Sequence, residues 1–210
     1  MFIQTFVFNP FYENTYLIYD DDHVGFVVDP GCYEDYEKEE LSKFIEEKKI
    51  KIDCVVNTHC HIDHVLGNAF IKEQYNVPIK IPSGEKDMLE AVKAYSTNWG
   101  INNYEAAEPD ELLEEGHLKI GELTFQTILA PGHSPGHLVF YHQESGSLIG
   151  GDVLFRQSIG RTDLPGGNHE QLIASIKNTI FLLPDTTAVY SGHGAITTIG
   201  YEKDHNPFLQ

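Results

Sequence analysis

Four residues able to hold a metal ion fall within six positions of one another. They are His59, His61, Asp63 and His64, in the stretch Thr58-His59-Cys60-His61-Ile62-Asp63-His64. A neutral imidazole nitrogen binds zinc, iron or manganese directly. In an extended loop alternate side chains point the same way, so His59 and His61 can meet one ion. Asp63 and His64 lie further on, where a turn can aim them at a second ion. Cys60 alternates away from the two histidines and reads as buried and inert.

Three more places repeat one pattern of apolar run, glycine and metal-competent side chain. Thr127-Ile128-Leu129-Ala130 runs into Pro131-Gly132-His133, Ser147-Leu148-Ile149 into Gly150-Gly151-Asp152, and Thr187-Ala188-Val189-Tyr190 into Ser191-Gly192-His193-Gly194. Glycine permits the tight backbone that brings a ligand close to its ion. Each signal alone is weak, but the set gives seven candidate ligands: His59, His61, Asp63, His64, His133, Asp152 and His193. One zinc needs three or four ligands, so seven exceed a single site. An economical division places His59, His61 and His133 on one ion and Asp63, His64 and His193 on the other. Asp152, with two oxygens, bridges. Two divalent ions about 3.5–4 Å apart share a water and lower its pKa toward neutrality, which points to hydrolysis at a carbonyl or ester centre. Asp63 and Asp152 are then the catalytic carboxylates. His/Asp ligation suits zinc first, with iron or manganese also possible.

The elements that must position these ligands are readable from periodicity. Phe2–Phe8, Thr15–Tyr19 and Gly25–Val28 are predicted strands, rich in aromatic and β-branched residues. The third ends in Asp29-Pro30-Gly31, where Asp29 is either a turn residue or a carboxylate that orients a ligand. Residues 34–49 carry Tyr36, Leu41, Phe44 and Ile45 at helical spacing and predict an exposed amphipathic helix. Residues 51–57 form the strand that delivers the histidine motif. One helix is expected from about Asp63 to Tyr75, and another over residues 83–94, capped by Ser83. Residues 95–110 lack periodicity and read as a long loop whose aromatic residues could wall a substrate. A hairpin through Gly121-Glu122 joins Leu118–Ile120 to Leu123–Ala130, and residues 201–210 read as a short tail. No repeat or linker interrupts the chain, so residues 1–210 are expected to form one domain.

Composition excludes several function classes. The net charge is −18, from 14 basic and 32 acidic residues, which repels phosphate backbones and anionic membranes. Nucleic acid and membrane partners are therefore not expected, and a small-molecule substrate is. Three cysteines without a CxxC pair argue against a disulfide framework. No basic leader and no apolar run of about 18 residues is present, so a cytoplasmic location is expected. Both arginines, Arg156 and Arg161, follow Asp152 within ten residues, and either could hold a substrate carboxylate. An Arg161–Asp163 pair supporting the loop is the plainer role for the second. His137 is expected in the core or behind a ligand, whereas His23, His117, His142, His169 and His205 are expected to face solvent.

The motif His59-Cys60-His61-Ile62-Asp63-His64 resembles the hallmark of the metallo-β-lactamase superfamily. Pro131-Gly132-His133-Ser134-Pro135-Gly136-His137, Gly151-Asp152 and Gly192-His193-Gly194 match its later signatures. Within it the chain resembles glyoxalase II-like hydrolases of the short bacterial type, over Phe155–Gly167 and from Thr197 to Phe208 as well. The resemblance implies an α/β fold, a four-layer αββα sandwich, with the ligands divided as above. It also implies thioester hydrolysis, with S-lactoylglutathione or a related acyl thioester as substrate. The chain lacks the C-terminal helical region with which full-length glyoxalase II enzymes bind glutathione, so the hydrolytic machinery carries over better than the thiol specificity. Persulfide dioxygenases are similar and share Gly160-Arg161-Thr162-Asp163; their single iron would use His59, His133 and Asp152. A non-catalytic metal-binding protein is the reading from a different class.

Overall fold

The computed structural model describes all 210 residues. They form two compact units, one of Met1–Leu113 with Lys119–Leu123, the other of Glu114–Leu118 with Thr124–Gln210.

In the first unit, strands β1 (Phe2–Phe8), β2 (Glu13–Tyr19) and β3 (Val24–Val28) pair antiparallel in sequence. Helix α1 (Asp35–Lys48) then returns the chain to β4 (Lys51–Val56), which lies parallel to β3. Leu41 and Ile45 form the buried stripe of α1 among charged, solvated neighbours. The exception is Glu37, buried because its carboxylate accepts the amides of Asn9, Tyr33 and Glu34 at the helix start. Helices α2 (Ile62–Val65) and α3 (Asn68–Tyr75) lead to β5 (Ile79–Pro82). A 3-10 turn at Ser83–Glu85, helix α4 (Lys86–Tyr95) and a second 3-10 turn at Ser96–Trp99 precede β6 (Glu111–Leu113). The sheet order is β1 to β6 in sequence, the last three pairings parallel.

Two expectations are corrected here. The single helix from Asp63 to Tyr75 is broken at Gly67, whose N–H bonds to Pro30 O at 2.7 Å. A Cβ at that position would run into Cys32 Sγ and Pro30 O, so the break is set by tertiary approach and not by local propensity. Ser83 caps nothing; it lies inside the 3-10 turn, which ends with the fully buried Glu85.

The second unit holds most of β7 (Gly116–Ile120) and β8 (Leu123–Leu129), with β9 (Leu138–His142), β10 (Ser147–Gly151) and the small hairpin β11 (Leu154–Phe155) and β12 (Ser158–Ile159). Helix α5 (His169–Asn178) follows, capped by the Asn168 side chain accepting from Gln171 N. Strands β13 (Ala188–Ser191) and β14 (Thr197–Thr198) and helix α6 (Ile199–His205) complete it. The sheet order is β14-β13-β10-β9-β8-β7. Strands β8, β9 and β10 alternate in direction and β13 is parallel to β10. So β8, β10 and β13 all end at the same edge of the sheet, and the three glycine-flanked ligands follow those three ends. The tail expected over residues 201–210 is instead mostly docked structure: α6 buries Glu202, and Asn206 beyond it is fully buried. Across the chain, no helix is long and apolar enough to cross a membrane.

Candidate metal centre

The first unit places Asp29 and the histidine motif at neighbouring carboxyl ends of parallel strands, since Val28 of β3 is in register with Val56 of β4. Ligands collect at such ends in open α/β sheets. Asp29 adopts a left-handed backbone, φ 49°, which an aspartate tolerates better than most residues. That conformation turns its carboxylate onto the motif. Oδ1 accepts the Thr58 amide at 2.7 Å, and Oδ2 accepts the Thr58 hydroxyl at 2.6 Å and faces His64 Nδ1 at 3.1 Å.

These bonds fix the ring protons. Thr58 Oγ1 donates to Asp29, so its lone pair is left to accept from His59 Nδ1, 3.0 Å away. His64 Nδ1 likewise must carry its proton to meet Asp29. In the neutral form of each ring Nε2 is then the acceptor, the form a metal requires. His59 and His64 are fully buried, their ring centroids 4.2 Å apart, and the His61 ring stands edge-on to His59 at 4.8 Å. Asp63 Oδ2 lies 3.7 Å from His64 Nε2. Asp29, His59 and His64 also cluster closely, but both Asp29 oxygens are already accepting bonds, so Asp29 orients ligands without being one.

In the second unit Asp152 stands between two histidines. Its Oδ2 is 3.5 Å from His133 Nε2 and 3.6 Å from His193 Nε2. His133 Nδ1 faces the Arg161 carbonyl at 2.8 Å, which puts a proton on Nδ1 and makes Nε2 the acceptor of the neutral ring. Separations of 3.5–3.7 Å are too long for hydrogen bonds. Two atoms each about 2.1 Å from one ion stand about 3–3.7 Å apart at ordinary ligand angles, so the spacing fits shared ligation. The donor set therefore suits divalent metal in both units. His137 is fully buried, and its Nε2 accepts the Asp152 amide at 3.1 Å. That nitrogen is spent on positioning the carboxylate's backbone.

Close backbone approach holds the Asp152 loop. A Cβ at Gly160 would overlap the Asp152 carbonyl and press on His133 Nδ1. Gly160→Ala is expected to cost about 1–3 kcal/mol by overpacking, read as a lowered urea midpoint with unchanged slope; an unchanged midpoint would show that this approach is not needed.

The remaining residues sort clearly. Arg161 is committed to Asp163 through Nε and Nη2 at 2.7 and 2.8 Å, and this pair holds the Asp163 carboxyl down at about 2. Arg156 is exposed, with its guanidinium 5.2 Å over the Tyr201 ring. His23, His117, His169 and His205 are exposed, but His142 is not. It ends β9 packed on the Phe125 ring, its Nδ1 against Ser145, and burial pulls its pKa down. The three cysteines are free and buried, and burial raises the Cys60 thiol well above its usual range. Sequence reasoning missed Thr58, Glu13 and Glu85. Glu13 is fully buried 4.0 Å from His64 Nδ1, its carboxyl pushed up by burial, and Glu85 accepts the Cys60 amide at 3.0 Å. Thr58 could have been found as the motif's flank. The two glutamates carry no local signal, because single acidic residues in so acidic a chain look like surface.

The metallo-beta-lactamase superfamily profile matches residues 8–193, almost the whole chain and all seven ligand candidates. The chain belongs to that superfamily. It is 39% identical over 203 residues to hydroxyacylglutathione hydrolase GloC of Haemophilus influenzae, covering 95% of this chain and 93% of that one. A crystal structure of the B3 metallo-beta-lactamase BLEG-1 superposes with TM-score 0.92 at 39% identity over 100% of both chains. TTHA1623, solved in a di-iron-bound form, superposes with TM-score 0.89 at 34% identity, covering 98% of this chain and 100% of that one. The fold is thus the metallo-β-lactamase fold, two mixed sheets flanked by helices, and the protein is a metallo-hydrolase of this superfamily with His/Asp clusters suited to a binuclear site.

Proposed function

We propose that the protein hydrolyses a small acyl thioester, using two divalent ions. His59, His61 and His133 would hold one ion, Asp63, His64 and His193 the other, with Asp152 reaching both. The observation that carries the binuclear reading is the Asp152 carboxylate, one oxygen of which stands 3.5 and 3.6 Å from the Nε2 atoms of His133 and His193, residues assigned to different ions. Support for the thioester comes from the likeness to hydroxyacylglutathione hydrolase GloC. Zinc and iron are both candidates, the second because a similar structure holds two irons.

When bound, such an ion pair supplies an activated water and polarises the scissile carbonyl. The chain's own residues do the rest. Asp29 and Thr58 hold Nδ1 of His64 and His59, which keeps both rings oriented with Nε2 available to an ion. His137 fixes the Asp152 backbone. Asp63, less buried than His64 beside it, would accept the proton that the attacking water gives up.

The test is turnover of the as-purified protein on S-lactoylglutathione, with metal content measured on the same sample. Hydrolysis with about two ions per chain is expected. One iron per chain with oxygen consumption would replace the hydrolase with a dioxygenase. Lactam hydrolysis is the second reading, favoured by the likeness to BLEG-1, and a β-lactam in the same assay separates the two.

A further inference from the structure

We infer that Arg156, seated on Tyr201, selects substrates whose thiol portion carries a carboxylate. The inference rests on the thioester reading and deepens it. With only two arginines in the chain, their surroundings decide between them. Arg161 is already paired bidentately with Asp163. Arg156 makes no ion pair, in a chain with 32 acidic residues, and its sole partner is the Tyr201 ring. Stacking occupies one face of a guanidinium and leaves the edge, with its N–H fork, open to a carboxylate.

Its place in the fold is equally specific. Arg156 and Gln157 form the tip of the β11–β12 hairpin, which begins two residues after Asp152. Phe155, the residue before Arg156, meets the His193 ring edge-on at 6.1 Å. Ser191 Oγ donates to the Leu154 carbonyl at 2.7 Å, tying the hairpin to the strand that leads to His193.

The exposed tip is nonetheless held firmly. Gln157 has a left-handed backbone, φ 58°. Its amide donates to Glu202 Oε2 at 2.8 Å, and its side-chain Nε2 donates to Tyr201 Oη at 2.9 Å. Asn206 Nδ2 donates to the Ser158 carbonyl at 2.9 Å. Glu202 and Asn206 are both fully buried. Helix α6 and its continuation thus clamp the hairpin, and a recognition group mounted this way loses little freedom on binding. A surface of net charge −18 repels an anionic substrate at long range. The Arg156 guanidinium, on a hairpin that starts two residues after Asp152 and touches His193 through Phe155, supplies local positive charge against that repulsion.

The experiment compares two thioesters with the same lactoyl group, one on glutathione and one on the neutral thiol N-acetylcysteamine. In the wild-type protein the glutathione ester should be preferred, and equal kcat/KM values for the two esters would overturn the inference. In Arg156→Gln the ratio of kcat/KM values, glutathione over neutral, is expected to fall about tenfold, through KM and not kcat. Arg156→Lys should recover part of the ratio. Tyr201→Leu, which removes the seat but not the charge, should lower the ratio less, with thermal melting recorded to separate any loss of stability. An unchanged ratio in Arg156→Gln overturns the inference alone. Failure of the wild-type protein to hydrolyse either ester removes the thioester reading, and this inference with it.

Discussion

Asp152→Ala is expected to abolish turnover and metal retention together. The carboxylate faces two Nε2 atoms, at 3.5 and 3.6 Å, and its loss leaves both histidines without the group that would share their ions. Several kcal/mol of charge stabilisation depend on such an ion, so activity should fall by a factor on the order of a thousand or more. Metal content should fall from about two ions per chain to one or none. The backbone should survive the change. The bond to His137 is made by the Asp152 amide, which alanine keeps. His137→Ala supplies the contrast: it removes that acceptor and leaves the carboxylate in place, so stability should drop more than metal content. Elemental analysis, thermal melting and initial rates on the same preparations check both. An Asp152→Ala protein that kept two ions and its full rate would disprove the bridge.

Asp29 should matter almost as much, by another route. Its two oxygens accept the Thr58 amide and hydroxyl and hold His64 Nδ1, all in buried surroundings. Asp29→Ala strands these donors, each at a cost of about 1–3 kcal/mol, and frees His64 to rotate or change tautomer. Partners of this kind are worth about 10–100-fold in metal affinity. Asp29→Asn is the sharper probe, because asparagine tolerates the left-handed backbone and still offers one oxygen to Thr58. Its amide group would instead face the His64 N–H, so affinity should fall with a smaller loss of stability. Competition against a chromophoric chelator gives the affinity and urea unfolding the stability. Equal affinities in wild type and both variants would show that His64 needs no such partner.

Much of this architecture can be read from residue types alone, for physical reasons that stop at identifiable places. Strand β1 follows its aromatic and β-branched pattern from Phe2 to Phe8, and α1 follows the spacing of Leu41 and Ile45. The four ligand-bearing strand ends are legible because apolar runs must end before a polar, glycine-bent loop begins. What could not be read depends on approach between distant residues. Gly67 breaks its helix because Pro30 and Cys32 lie against it. His142 looks like a loop histidine until β9 buries it against Phe125. Glu202 and Asn206 look like tail residues until they meet the backbone of Gln157 and Ser158. Local periodicity carries no record of partners 17 to 48 positions away.

The bond sequence from His59 through Thr58 and Asp29 to His64 has a consequence for how this site can vary. A single carboxylate settles the tautomer of two rings, one of them through a hydroxyl that must donate in a fixed direction. Replacing Thr58 with a residue lacking that hydroxyl therefore disturbs His59 and Asp29 together, and a change at Asp29 is felt at both histidines. The four positions are therefore energetically coupled, and the costs of substitutions within the set are expected not to add.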